Sequence, residues 1–184
     1  PKEIHDLEPN IKPFYHGGVY YKCGRHARNP KKILLKLFDL FLKKGGKFLN
    51  INVQDINFDG EKPVLESETQ KYVFDKLVIA CGAFSKKLTD NLGEKIPLDT
   101  ERGYHIHFKG CDHLLTRPVI FQNRGFGITP MEQGLRVVGT VEFGGLKNPL
   151  SKSRVNNLIN NAQYMLGDLP EHEDEWLGFR PTLP

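Results

Sequence analysis

Several protein classes are marked by features this chain has little of. Its three cysteines, Cys23, Cys81 and Cys111, are odd in number and far apart. They supply neither a disulfide framework nor the close pairs of a zinc site, and a reducing compartment, the cytoplasm, is the expected location. No stretch approaches the roughly 20 consecutive apolar residues of a membrane-crossing helix; Ile33 to Leu35 and Leu77 to Cys81 are typical of the longest. The excess of 26 Lys+Arg over 22 Asp+Glu, a net +4, is too small for a nucleic-acid footprint. Seven histidines include no His-x-x-x-His pair and so give no metal signal. The start, Pro1-Lys2-Glu3, has neither an initiator Met nor the basic-then-apolar order of a signal peptide, and reads as a cut site. Repeats and low-complexity tracts are absent. With 39% hydrophobic and 26% charged residues, the composition is that of a globular protein with a real core.

The elements present are mixed. Asn29-Pro30 before Lys31 to Lys44, closed by Gly45-Gly46, predicts a capped helix with Leu34, Leu37, Phe38 and Phe41 as its buried stripe. Lys47 to Val53 alternates like a strand with one wet face. Asp59-Gly60 predicts a hairpin, with short antiparallel strands around Val64 and Tyr72 to Phe74. Leu77 to Cys81 is apolar throughout, as in a strand covered on both faces, and Gly82-Ala83 ends it before a short helix capped by Ser85. From Ile96 the texture is strand after strand. Tyr104, Ile106 and Phe108 share one face and His105 and His107 the other; Val119 to Phe121, Gly127 to Pro130 and Leu135 to Val141 follow. A helix with Val155, Leu158, Ile159, Ala162 and Met165 on one side comes next, started by Ser151 or Ser153.

Two constellations carry possible chemistry. Lys76 to Ser85 is a strand, a glycine turn and a helix start, where bare backbone and free helix N–H groups suit an anion such as a pyrophosphate. Many ligand-free proteins share that junction. Arg180 near the end reads, from its neighbours alone, as a guanidinium that caps carbonyls or pairs with the acidic run Glu171, Glu173, Asp174 and Glu175. His16-Gly17-Gly18 and Arg25-His26-Ala27-Arg28, a glycine pair and a basic cluster, are of the type that meets phosphates, with solvated surface as the alternative. Cys23 reads as a packing residue.

The string Lys76-Leu77-Val78-Ile79-Ala80-Cys81-Gly82-Ala83-Phe84-Ser85 resembles the second flavin-contacting loop of the D-amino-acid oxidase-like superfamily of FAD-dependent oxidoreductases. Glu101-Arg102-Gly103-Tyr104 resembles the start of that family's substrate-domain sheet. Gly127-Ile128-Thr129-Pro130 through Gly139-Thr140-Val141-Glu142-Phe143 is similar to a hairpin of bacterial D-amino-acid dehydrogenases. Gly178-Phe179-Arg180-Pro181 resembles the family's Gly-x-Arg-Pro motif.

This resemblance implies a mixed α+β and α/β fold: an antiparallel substrate-domain sheet with part of a FAD-binding α/β domain. The implied boundaries are residues 1–30 for a substrate-domain segment, 31–95 for part of the FAD-binding domain and 96–184 for the substrate domain. Arg180 would bind the substrate carboxylate, with Tyr104 beside it. Val53, Cys81, Gly82, Ala83 and Phe84 would contact FAD. The implied reaction is hydride transfer from Cα of a D-amino acid to flavin, giving an imino acid that water hydrolyses to the keto acid and ammonia. Oxygen, a quinone or another carrier would take the electrons, and peripheral attachment to a bacterial inner membrane would suit a quinone. Oxidation of glycine or sarcosine is the nearest alternative, and a non-catalytic interaction module the alternative from another class.

The family's Gly-x-Gly-x-x-Gly fingerprint is not found in these 184 residues. The chain therefore reads as an interior piece of a larger enzyme. By itself it is expected to bind FAD weakly or not at all and to self-associate through uncovered strand edges and apolar patches.

Overall fold

The computed structural model describes residues 2–184. A short helix, α1 (Lys2–Leu7), is tied down by the buried Glu8 that follows it. That carboxylate accepts from the backbone N–H of Thr116 at 3.0 Å and lies 2.9 Å from Arg117 Nε, so the buried charge is matched. The next helix, α2 (Pro30–Lys43), begins as its sequence demands, with Asn29 Oδ1 accepting from the Lys32 N–H at 3.0 Å and proline at the first position. Its apolar stripe departs from expectation. Leu34 is 66% exposed, Leu37 and Phe41 are also exposed, and α2 buries no residue. Helical spacing selects a face, but only a packed neighbour can cover it.

Strands β1 (Asp55–Asp59), β2 (Lys62–Glu66) and β3 (Lys71–Val73) form an antiparallel sheet in that order. Gly60, at φ +61°, turns the β1–β2 hairpin, a conformation that suits glycine. Two strands expected from sequence do not form. Lys47 to Val53 and Leu77 to Cys81 have no strand pairing among the described residues, and Val78 is 85% exposed. An apolar run becomes a strand only beside partners that accept its backbone hydrogen bonds, and none lies there. The turn Gly82–Phe84 leads into α3 (Ser85–Asn91), whose Asn91 bonds Asp55 of β1 at 2.9 Å. Ser85 is the first helical residue rather than the cap; its Oγ accepts from the Cys81 N–H at 3.1 Å.

The larger sheet contains β4 (Asp99–Phe108), β5 (Val119–Phe121), β6 (Phe126–Met131), β7 (Gly134–Glu142) and β8 (Glu173–Thr182). Its order is β5-β6-β7-β4-β8, antiparallel throughout. Helix α4 (Lys152–Leu166), between β7 and β8 in sequence, packs on one face. There Val155, Leu158, Ala162 and Met165 meet Tyr104, Ile106, Phe108, Ile128, Leu135 and Val137, all at most 3% exposed. Each fully buried aliphatic side chain there contributes on the order of 1.5–3 kcal/mol, which makes this the principal core.

That core contains a buried ionic cluster. Arg102 is 0% exposed, donates through Nη2 to the carbonyls of Asn148 and Pro149 at 2.8 Å each, and lies 3.5 Å from Glu142. Tyr104 OH donates to Glu142 at 2.5 Å and accepts from the Ser151 N–H at 3.3 Å. The connection from β7 to α4 is thereby pinned to the sheet. Cys23, expected to pack, is exposed in a segment where Val19 and Tyr21 are exposed too. No described helix is long and apolar enough to cross a membrane.

Candidate functional site

Antiparallel partners project to the same side of a sheet, and neighbours along a strand alternate. The β4–β8 register pairs Glu101 with Arg180, Gly103 with Gly178 and His105 with Trp176. These six residues therefore share one face, opposite the face that α4 covers. The β7 partner of His105 is Val138 and that of His107 is Arg136, which extends the open face across the sheet.

Arg180 stands at one end of this row. Its side chain is 68% exposed, and Nη1 donates to Glu101 Oε2 at 3.2 Å. Glu101, rather than the acidic run from Glu171 to Glu175, is its partner; within that run, Glu175 pairs with Lys152 and His172, and Glu173 with Lys109. A guanidinium carries five N–H donors in a planar fork, and this bond engages a single terminal nitrogen. A shallow cavity of about 510 Å³ adjoins this end, with Lys86, Glu101 and Phe143 in its wall.

Next in the row come two glycines. An added Cβ at Gly103 would meet no atom within 4 Å, so the floor there is bare backbone. Beyond them the Trp176 indole stacks on His105, with ring centroids 4.5 Å apart and planes inclined by 18°. His105 meets His107 edge-on at 5.0 Å, and Arg136 Nε donates to His107 Nε2 at 3.0 Å. Burial, then the charge of Arg136 and the neighbouring His107, push the His105 imidazole down to about 4, so it is neutral near pH 7. His107 is lowered for the same first reasons, burial and Arg136, with Asp174 opposing.

Tyr104, expected beside the substrate with Arg180, lies on the other face. It is buried against α4 and bonded to Glu142 and Ser151. Strand alternation makes both placements impossible at once, and the core takes Tyr104. Burial, followed by the bond to Glu142, raises its phenol above the ordinary range.

The glycine turn packs on β8 through an aromatic contact on the face opposite Arg180. Phe84 meets Phe179, the residue before Arg180, edge to face at 5.8 Å. Ala83 is buried, Gly82 has φ +56°, and an added Cβ at Gly82 would meet nothing within 4 Å. Cys81 is exposed, and Val53 is half-buried just before the small sheet. The basic cluster is tied elsewhere, with Arg28 on Asp112 at 3.3 Å and His26 Nε2 3.2 Å from the Pro130 carbonyl, at the β6–β7 end.

The row thus sets an exposed guanidinium, the open backbone of Gly103 and a stacked aromatic pair side by side on one face of the sheet. The family described as DAO, FAD dependent oxidoreductase, matches residues 1–184, and the chain belongs to it. A D-amino-acid oxidase of Bradyrhizobium diazoefficiens is 29% identical over 188 residues, covering 99% of this chain and 45% of the relative. A D-amino acid dehydrogenase of Vibrio vulnificus is 27% identical over 156 residues, covering 81% of this chain and 37% of the relative. In structure, a glycine oxidase from Geobacillus kaustophilus aligns with TM-score 0.86 at 22% identity, over 99% of this chain and 50% of that one. The chain thus spans about half the length of the proteins it matches.

Proposed function

We propose that this chain belongs to an enzyme that oxidises an amino acid at the carbon bearing its amine, a D-amino acid first of all, with Arg180 as the carboxylate anchor. The observation that carries this reading is the position of Arg180: exposed on the open sheet face, aligned by Glu101 and close to the bare backbone of Gly103.

The residues present fit FAD as a partial cradle. Gly82 and Gly103 leave open backbone that a flat or anionic group can approach, and Phe84 offers an exposed ring. Gly82, Ala83 and Phe84, with Cys81 and Val53, are assigned to hold the cofactor. When bound, FAD supplies the hydride acceptor. The chain's own part is orientation: Arg180 fixes the carboxylate, and the guanidinium is itself aligned by Glu101. The uncovered stripe of α2 and the unpaired run Leu77 to Cys81 support placing residues 31–95 in a larger nucleotide-binding unit, with residues 1–30 and 96–184 forming the substrate side.

The test is steady-state kinetics of the full-length holoenzyme on D-amino acids, glycine and sarcosine. In Arg180→Ala the loss of a charge-assisted fork should raise KM about 10- to 100-fold while the flavin spectrum is preserved. An unchanged KM for every turned-over amino acid would remove the anchor, and absence of turnover on all of them in the wild type would remove the proposed substrate class.

A further inference from the structure

Arg180 reads a carboxylate and is indifferent to the rest of the substrate. The same face holds a second feature that is not. The Trp176 indole lies across Gly178: a Cβ built there would stand 1.8 Å from Cη2 and 2.2 Å from Cζ3 of the ring. Gly178 is the same-face residue between Trp176 and Arg180, so the ring edge lies one such step, roughly 7 Å along the strand, from the Arg180 position. Trp176 is nevertheless 51% exposed. His105 backs it in a near-parallel stack, and the Gly103 backbone leaves open space alongside.

We infer that Trp176, braced by His105, is the wall that receives the substrate side chain and selects flat aromatic over small side chains. The inference rests on the reading of Arg180 as the carboxylate anchor. With a carboxylate held in the guanidinium fork, the substituent on the adjacent carbon is within reach of the indole across the bare floor. Only Gly178 can occupy its position while the ring lies there, because any side chain would displace it. His105, neutral near pH 7, adds no positive charge beside the indole to draw an acidic side chain. An aromatic substituent gains contact with the indole, and a hydrogen atom, as in glycine, gains none.

The test uses the full-length holoenzyme and two non-reacting carboxylates, acetate and phenylacetate, titrated by calorimetry. Phenylacetate should bind about tenfold tighter than acetate. In Trp176→Ala that ratio should fall below about threefold with acetate affinity unchanged, while Trp176→Phe retains most of it. If Trp176→Ala does not fold, Trp176→Leu keeps an apolar side chain without the flat indole and should lower the ratio similarly. A ratio that survives these substitutions, or equal binding of the two probes to the wild type, overturns the wall. Arg180→Ala is read separately: it should weaken both probes alike, and unaltered acetate binding there would sink the anchor, leaving the Trp176 ratio to judge the wall.

Discussion

Acid should destabilise this protein partly through a single ring. His105 is held neutral in the fold, its pKa pushed from 6.5 to about 4 by burial first and then by Arg136 and His107. The unfolded chain takes up the proton near 6.5, and the folded chain does so only near 4. Over that window the unfolded state binds more protons, so this contribution is intact above about pH 6.5 and is lost as pH falls toward 4. A displacement of that size corresponds to ~3 kcal/mol if fully felt. The ring is only half-buried, and solvent screening brings the expected loss to about 1–2 kcal/mol. His105→Phe keeps a ring against Trp176 and removes the titration. Urea midpoints at several pH values between 7 and 4.5 should show the wild type losing about 1–2 kcal/mol more than the variant. Parallel pH profiles for the two proteins, or an NMR titration placing His105 near 6.5, would refute the reasoning.

Two further substitutions probe the opposite face. Arg102→Met removes a fully buried guanidinium and its bonds to the carbonyls of Asn148 and Pro149, while Glu142 keeps Tyr104 and Arg154; denaturant titration should show a loss of roughly 2–3 kcal/mol. Tyr104→Phe deletes the hydroxyl shared by Glu142 and Ser151 and should cost about 1–2 kcal/mol while KM for the amino-acid substrate stays unchanged. A raised KM would return Tyr104 to the substrate side.

The capped start of α2, the Asp59-Gly60 hairpin, the alternation along β4 and the stripe of α4 were all readable, because each depends on neighbours close in sequence. What failed depended on distant partners. Leu77 to Cys81 has the composition of a central strand, yet a strand is a relation between segments, and the described residues hold none to pair with it. The stripe of α2 was legible as a stripe, but not its exposure. At the site, alternation showed that Tyr104 and His105 could not share a face, though not which face α4 would take. Glu101 as the partner of Arg180, and His105 behind Trp176, follow from the β4–β8 register, which joins residues some 70 to 80 positions apart. A count back in twos from Arg180 through Gly178 to Trp176 was the available clue.

Strand β4 is divided lengthwise between two duties. Its even-numbered residues from Arg102 to Phe108 hold the molecule together, while Glu101, Gly103, His105 and His107 look the other way. On the proposed assignment of the open face to substrate, selection can revise what the protein recognises by altering every second letter of one short segment, with the alternate letters kept constant as its foundation.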